Sequence, residues 1–351
     1  MAYTTIDDPS AFFQTTLYTG NNTGGASNTI TNSGNSDLQP DWVWIKSRSG
    51  AANHNCSDSS RGATKHLAQN ITYQEETVAG ISGYNSNGFT VGSNNDANFN
   101  GATFVAWQWK ANGGTTTAFS ESGNNPGGTY QANTTAGFSI VTYTGTGAAG
   151  TVTHGLGVAP KLIIIKNRDV ADPWAVYYGD ATDYLVLNTT AATVDNAAWW
   201  NDTAPSSTVF TVNTDHSVNA DGETYVAYAF AEVQGYSKFG SYVGNGNVNG
   251  PMVYLGFKPA VIILKQTNTT GNWHIIDNKR SASGGANVNV YTLFPNLDAA
   301  ESTGEAESTY GIDFLSNGFK IRASHSTRNT SGGTYIYMCF AENPFTTSTG
   351  V

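Results

Sequence analysis

The 351-residue chain carries 16 Lys and Arg against 26 Asp and Glu, a net charge of −10. This acidic balance argues against nucleic-acid binding, which needs clustered basic residues, and no apolar run approaches the roughly 20 residues of a membrane span. Hydrophobic residues make up 39% and aromatic residues 12%, and Gly, Ser, Thr and Asn dominate the remainder, a composition typical of short strands joined by polar turns.

The predicted elements begin after residues 1–8 (MAYTTIDD), which have neither the basic region nor the apolar core of a secretion signal. We therefore expect the protein to be made and folded in a cytoplasm. A first strand follows over residues 12–20 and ends in Tyr-x-Gly. Similar strands are predicted at residues 138–145 and 239–244.

A proline, an apolar strand and a lysine recur three times. The copies are residues 39–46 (QPDWVWIK), 159–166 (APKLIIIK) and 258–265 (KPAVIILK). Proline at the first residue of a strand costs no ladder hydrogen bond, and β-branched runs suit buried strands. The copies lie about 100 residues apart, which is the size of a domain and far longer than a solenoid repeat of roughly 20–50 residues.

Further strands complete each copy. A second strand is clear at residues 174–177 and 273–277, whereas its counterpart at 54–58 (HNCSD) reads as too polar to be well buried. Closing strands are predicted at residues 103–109, 224–230 and 334–340, each preceded by a glycine turn at Gly101, Gly222 and Gly333. Helical patterns are confined to residues 61–70 and 295–302.

We predict an all-β protein of three related β-sandwich domains, with a jelly-roll-like topology as the first expectation. The predicted divisions are a first repeat at residues 1–111, a Gly/Thr/Asn-rich linker at 112–132, a second repeat at 133–233, a third repeat at 234–346 and a tail at 347–351. The short connection around residues 233–235 predicts that the second and third repeats pack against each other.

Several long motifs resemble one family. They are MAYTTIDDPSAFFQTTLYTG, PDWVWIKSRSG with SSRGATKHL, SNGFTVGS, FVAWQWKANGG and GGTYIYMCFAENPF. Together they are similar to a family of marine bacteriophage virion proteins, many from viruses of cyanobacteria, commonly described as tail fibre-like or structural. The resemblance covers nearly the whole chain.

The resemblance implies a non-enzymatic virion protein, made in the host cytoplasm and placed in a tail fibre or surface appendage. It would act by assembly with other virion proteins and by adhesion to host-surface glycans, as a homotrimer. A capsid decoration or stabilising protein is the alternative. A polysaccharide depolymerase is a third hypothesis, for which Glu75, Glu76, Asp180, Asp183 and the acids at 301, 305 and 307 are available.

Adjacent indoles at Trp199 and Trp200 lie in a stretch of the second repeat without a clear counterpart elsewhere. Because two neighbouring residues of one strand cannot both face the core, we expect packing between domains or subunits, with contact to a sugar ring or filling of the core as alternatives.

Other candidate sites favour structural roles. Asp215, Asn219, Asp221 and Glu223 crowd oxygen ligands into a turn, but their spacing lacks the order of an EF-hand, so calcium is a weak candidate and we expect neither metal nor cofactor. Lysines 46, 166 and 265 are expected to lay their stems along the sheet and reach a carboxylate or solvent. Cys56 and Cys339 are expected to be unlinked thiols.

Overall fold

The computed structural model describes residues 3–281 and 287–345, so the predicted tail at 347–351 lies outside the described residues. Within these ranges the chain forms antiparallel sheets joined by turns and one-turn helices, which confirms the all-β prediction. No helix among the described residues is long and apolar enough to cross a membrane.

Unit 1 is the described part of the chain up to residue 109. It contains a 3₁₀ helix (Pro9–Ala11), β1 (Phe13–Thr19), β2 (Asn28–Thr31), β3 (Trp42–Ser47), β4 (Asn55–Asp58), β5 (Lys65–His66), β6 (Glu76–Thr77), β7 (Ile81–Asn85), β8 (Gly88–Val91), α1 (Asn95–Asn98) and β9 (Thr103–Trp109). Its main sheet has the order β1-β9-β3-β4, a small sheet has the order β2-β8-β7, and β5 pairs with β6.

Unit 2 extends to residue 230. It contains β10 (Thr117–Phe119), β11 (Gly128–Asn133), β12 (Phe138–Thr144), β13 (Gly150–Thr153), β14 (Leu162–Asn167), β15 (Ala175–Tyr177), β16 (Asp183–Val186), β17 (Val194–Asp195), α2 (Ala197–Trp200), β18 (Val209–Val212), α3 (His216–Asn219) and β19 (Thr224–Phe230). The main sheet has the order β10-β11-β12-β19-β14-β15-β16-β17, and β13 pairs with β18.

Unit 3 completes the chain. It contains β20 (Ser237–Val243), β21 (Met252–Tyr254), β22 (Phe257–Gln266), β23 (His274–Asp277), α4 (Glu307–Tyr310), β24 (Ile312–Leu315), β25 (Gly318–Ile321), α5 (Ser326–Asn329) and β26 (Thr334–Pro344). Its main sheet has the order β20-β26-β22-β23, and its small sheet has the order β21-β25-β24.

The three main sheets share one strand order. In each of them the closing strand lies between the opening strand and the proline strand, and the second strand pairs with the proline strand. A positive-φ glycine leads into each closing strand, at Gly101 (77°), Gly222 (75°) and Gly332 (75°), where a side chain would be strained. The third of these lies one residue before the predicted Gly333. The division into three related copies and the jelly-roll-like connectivity stay predictions.

Both faces of the proline and closing strands, at the centre of each main sheet, are largely buried. In β3, Val43 and Ile45 pack with Phe89 in the interior of unit 1, whereas Trp42 and Trp44 point into a core shared with the other units. Burial on both faces explains why the proline strands are continuously apolar rather than alternating.

Three local predictions need correction. The predicted linker at 112–132 contains β10 and most of β11, and β11 adds a strand to the main sheet of unit 2. Strand β4 is fully buried despite its polar sequence. Residues 61–70 and 295–302 form turns and short strand pairings instead of helices, because their apolar side chains pack into a sheet-based core.

Candidate functional site

The shared core brings together the same position of all three closing strands. The ring centroids of Trp109 and Phe230 lie 6.3 Å apart, and Phe340 lies 5.7 Å from each of them. The backbone partners of these residues on the opening strands are Phe13, Phe138 and Ser237, respectively. The three sheets therefore converge on one aromatic cluster with an approximately three-fold arrangement.

Each unit also donates a ring N–H to the backbone of a neighbour. Trp174 of unit 2 donates Nε1 to the carbonyl of Ala68 in unit 1 at 2.9 Å. Trp273 of unit 3 donates Nε1 to the carbonyl of Val186 in unit 2 at 3.0 Å. Both groups are buried, so these hydrogen bonds fix the relative positions of the units.

In unit 1 the corresponding residue is His54. Its Nδ1 accepts a hydrogen bond from Nε1 of Trp44 at 2.8 Å, so the proton of the neutral ring is on Nε2. That nitrogen lies 3.1 Å from the carbonyl oxygens of Phe294 and Leu297 in unit 3. Burial, with a smaller contribution from the charge of Lys46, lowers the pKa of His54 to about 3. A neutral histidine thus replaces the tryptophan of the other two units.

The three recurring lysines are fully buried. Each Nζ donates to the carbonyl oxygen of the following residue, at 3.0 Å for Lys46, 2.7 Å for Lys166 and 2.6 Å for Lys265. Burial lowers the pKa of all three to about 8. The expectation that these side chains reach a carboxylate or solvent is wrong, because they stay inside the protein and bind backbone carbonyls.

Between units 1 and 2 lies a buried ion network, which we call interface 1–2. The side chain of Arg61 lies 2.6 Å from the Asp58 carboxylate through Nε and 2.9 Å from the Glu75 carboxylate through Nη1. Arg168 of unit 2 binds the same Glu75 at 2.9 Å. Tyr228, also of unit 2, donates its hydroxyl to Asp58 at 2.8 Å. The charges of Asp58 and Arg61 are thereby compensated without solvent.

Interface 3–1, between units 3 and 1, repeats this network. Arg280 lies 2.6 Å from both Asp277 and Glu301. Arg48 of unit 1 binds Glu301 at 2.8 Å, and Trp107 donates Nε1 to Asp277 at 2.9 Å. The Arg280 guanidinium also lies 5.4 Å from the centroid of the Trp107 ring, within cation–π range.

Interface 2–3, between units 2 and 3, has the same backbone hydrogen bond as the other two interfaces but lacks the charged residues of their ion networks. The amide of Thr193 donates to the carbonyl of Thr267 at 2.9 Å, as Glu75 does to Arg168 and Glu301 does to Arg48. The corresponding ion-network positions are held by Tyr178, Ala181, Thr193, Thr267 and Met338. Every charged member of the other two networks is replaced here by an uncharged residue.

The space left by these replacements is open. A cleft of about 510 Å³ lies at interface 2–3, lined by the side chains of Lys161, Tyr178, Asp180, Asp183, Thr193, Glu232, Phe239, Thr267 and Asn268, among others. Lys161, Tyr178 and Phe239 also line a small apolar cavity of about 20 Å³, together with Trp44, Trp273 and Met338. This cleft is the candidate functional site.

Trp199 and Trp200 lie away from this cleft, in the interior of unit 2. Both rings are buried. Trp199 stacks on Tyr184 at 3.7 Å, and Trp200 packs edge-on against Tyr177 at 5.8 Å. Of packing between domains or subunits, contact with a sugar ring and core filling, the burial of both indoles matches core filling, because the one-turn helix α2 lets neighbouring indoles face the same core.

The weak calcium candidate is a turn held by its own hydrogen bonds. Asp215 caps α3 by accepting from the amide of Ser217 at 2.9 Å. Asn219 binds the backbone on both sides of the turn at residues 146–148, and Glu223 lies 3.2 Å from His216. The capping role recurs at Asn94. Across the described residues, His, Cys, Asp and Glu do not gather into a group of three that could hold a metal.

The carboxylates considered for a depolymerase lie in two different places. Glu75 and Glu301 are engaged in the ion networks, whereas Asp180 and Asp183 line the cleft at interface 2–3. Cys56 and Cys339 are free and buried, which confirms the prediction of unlinked thiols.

The arginines of the ion networks were missed in the sequence. A signal was present, because Asp-x-x-Arg follows the second strand in units 1 and 3, as Asp58 to Arg61 and Asp277 to Arg280, but not in unit 2.

Comparison with known proteins gives a match to one family model. The family model described as Domain of unknown function (DUF7483) matches residues 8–344. No curated protein and no solved structure matches the chain.

Proposed function

We propose that this chain, which belongs to the DUF7483 family over nearly its whole length, is a non-enzymatic structural and adhesive protein of a phage particle, placed in a tail fibre or surface appendage. The observation that carries the proposal is the joining of three β units around one buried aromatic core. Such a body provides a stable platform from which polar loops contact another surface.

The positions of the basic side chains support a structural role. Seven of the basic residues, Lys46, Lys166, Lys265, Arg48, Arg61, Arg168 and Arg280, are committed to carbonyl groups or to carboxylates at the interfaces. The exposed loops are rich in Asn, Ser, Thr and Gly, which offer hydrogen bonds without a strong charge bias. A surface of this kind suits glycan contact.

Labelling with an antibody on purified particles, combined with counting of copies by quantitative mass spectrometry, tests the placement. A fibre predicts a few tens of chains at the tail, and binding of the purified protein to host cells or isolated surface glycans tests adhesion. Absence of the protein from particles would overturn the proposal, and absence of all cell and glycan binding would remove its adhesive part.

One observation favours the alternative of a capsid decoration protein. A single chain already supplies three units around an approximate axis, so it does not need two further chains to build a three-fold body. A monomeric mass by light scattering and hundreds of copies per particle would favour decoration, whereas a stable homotrimer would favour the fibre.

A further inference from the structure

The opening strands β1, β12 and β20 lie beside the closing strands of their main sheets, and among the described residues β12 alone of these three pairs with a further strand on its outer side. That partner is β11, which pairs with it in antiparallel register from Gly128 opposite Tyr143 to Asn133 opposite Phe138. Among the described residues, the outer side of β20 carries an isolated bridge between Ser237 and Val233 at its first residue, and no strand pairs with it beyond that point. An edge of this kind is open to strand addition.

Strand β11 also fills interface 1–2 with one side chain. Gln131 is buried opposite Ile140, and its Nε2 donates to the hydroxyls of Ser59 and Ser60 at 2.8 and 2.7 Å. Its Oε1 accepts from the amide of Gly114 at 2.9 Å. The added strand is therefore recognised by main-chain pairing and by a side chain that reaches the neighbouring unit.

The corresponding place at interface 2–3 is the open cleft. Phe239 corresponds to Ile140, since Phe239 pairs with Met338 as Ile140 pairs with Tyr228. Gly179 and Asp180 correspond to Ser59 and Ser60, and Asp180 lines the cleft. The space that Gln131 fills in one interface is thus unfilled in the other.

The backbone of β20 presents donors to this space. The amide of Phe239 donates to Oε1 of Glu232 at 3.3 Å, so it points away from β26. Because alternate residues of a strand point the same way, the amides of Ser241 and Val243 face the same open side. Val243 is 61% exposed. The carboxylate of Glu232 therefore takes the place of a partner strand at Phe239, whereas Ser241 and Val243 are exposed.

Charge indicates which strand would fit. Asp180, Asp183 and Glu232 line the cleft against one basic residue, Lys161. The arginines that balance carboxylates at the other two interfaces correspond here to Ala181 and Thr267. The whole chain carries −10, so a second copy would meet like charge, whereas a basic segment would be attracted.

We propose that the outer edge of β20 is a docking site for an extended strand of another protein, added antiparallel as β11 is added to β12. A lysine or arginine of that strand would lie opposite Phe239, in the place of Gln131, and reach Asp180. This inference does not depend on the proposed function, because it concerns the purified chain and a peptide.

The probe is a fluorescein-labelled peptide of residues 127–135 (GGTYQANTT) carrying the change Gln131→Arg, titrated with the full chain and followed by fluorescence anisotropy. We expect saturable binding that weakens between 50 and 200 mM salt, and at least about tenfold weaker binding of the Gln131→Glu peptide. No saturable binding of the arginine peptide would overturn the proposal.

Two sets of protein variants locate the site. Ser241→Pro removes an outward amide without removing a bond to β26, and we expect about tenfold weaker binding. Leu17→Pro is the matched control on the edge of β1 and should bind as the wild type does. If Ser241→Pro fails to fold, the double variant with Asp180→Asn and Asp183→Asn tests the site instead, and it should also bind the arginine peptide more weakly. Unchanged binding by the folded edge variant or by the double variant would overturn the site, as would a dimer of the chain that occupies this edge in place of the peptide.

Discussion

Tyr228 and Asp58 belong to different units, yet the hydroxyl of one donates a 2.8 Å hydrogen bond to the carboxylate of the other inside the protein. The same carboxylate is held by Arg61 at 2.6 Å. Strand β4 therefore carries a charged residue into the core without leaving that charge uncompensated, and the polar sequence of β4 marks an interface between units.

Replacement of Tyr228 by phenylalanine is expected to lower the free energy of unfolding by about 1.5–3 kcal/mol, because the buried carboxylate of Asp58 loses a donor. Urea unfolding followed by tryptophan fluorescence measures the change. Tyr73→Phe is the matched control, since Tyr73 is 60% exposed, and should change stability by less than about 0.5 kcal/mol. Equal effects of both changes would contradict the role of the hydrogen bond.

The two ion networks give a paired prediction. Arg61→Met and Arg280→Met each remove the arginine of a buried aspartate and one of the two arginines of a glutamate, so each is expected to cost about 3–5 kcal/mol. Similar losses in both variants, measured by the same urea unfolding, would show that the networks are energetically equivalent. A loss below about 1 kcal/mol in either would show that its carboxylates find other partners or water.

The all-β fold was predictable because its signal is local: period-2 patterns, proline at strand starts and glycine turns. The arrangement of the units was not, because His54, Asp58 and Arg61 find their partners far along the chain. The polar sequence at 54–58 predicts a weakly buried strand, and the adjacent Trp199 and Trp200 favour packing between domains or subunits, since periodicity does not show which surfaces become buried in the folded chain. The cleft lies where interface 2–3 has uncharged residues at positions that are charged at the other two interfaces. These positions can be matched only when the structure shows which residues meet at each interface.

Stability is expected to fall in acid through the buried histidines. Burial lowers the pKa of His54 to about 3 and that of His66 to about 4, against about 6.5 in the unfolded chain. Between these values the unfolded state binds more protons, so stability is lost as the pH falls from about 6.5 toward 3. From pH 6.5 to pH 4 His54 alone corresponds to about 3 kcal/mol. Urea unfolding of His54→Gln at both pH values should show a smaller difference than the wild type, and an identical difference would contradict this assignment.

Trp200 is expected to act as a core residue of unit 2 and not as a ligand contact. Trp200→Ala should cost about 3–5 kcal/mol, because a fully buried indole leaves a cavity. Thermal unfolding measures the loss, and binding to host cells at a temperature where the variant is folded should equal that of the wild type. Loss of cell binding by a folded variant would instead assign the indole to an interaction surface.

Restoring the missing charges at interface 2–3 should close the cleft. Thr193 and Thr267 correspond to the Glu301 and Arg48 pair of interface 3–1, and their backbones already meet at 2.9 Å. Thr193→Glu with Thr267→Arg is therefore expected to form an ion pair with a coupling energy of about 1 kcal/mol in a double-mutant cycle, smaller at high salt because the new pair borders the cleft. The two single variants complete the cycle, and a coupling energy near zero at low salt would show that the units at this interface are not positioned as at the other two. A positive coupling energy together with weaker binding of the arginine peptide would show that the charged pair and the docked strand compete for the same space.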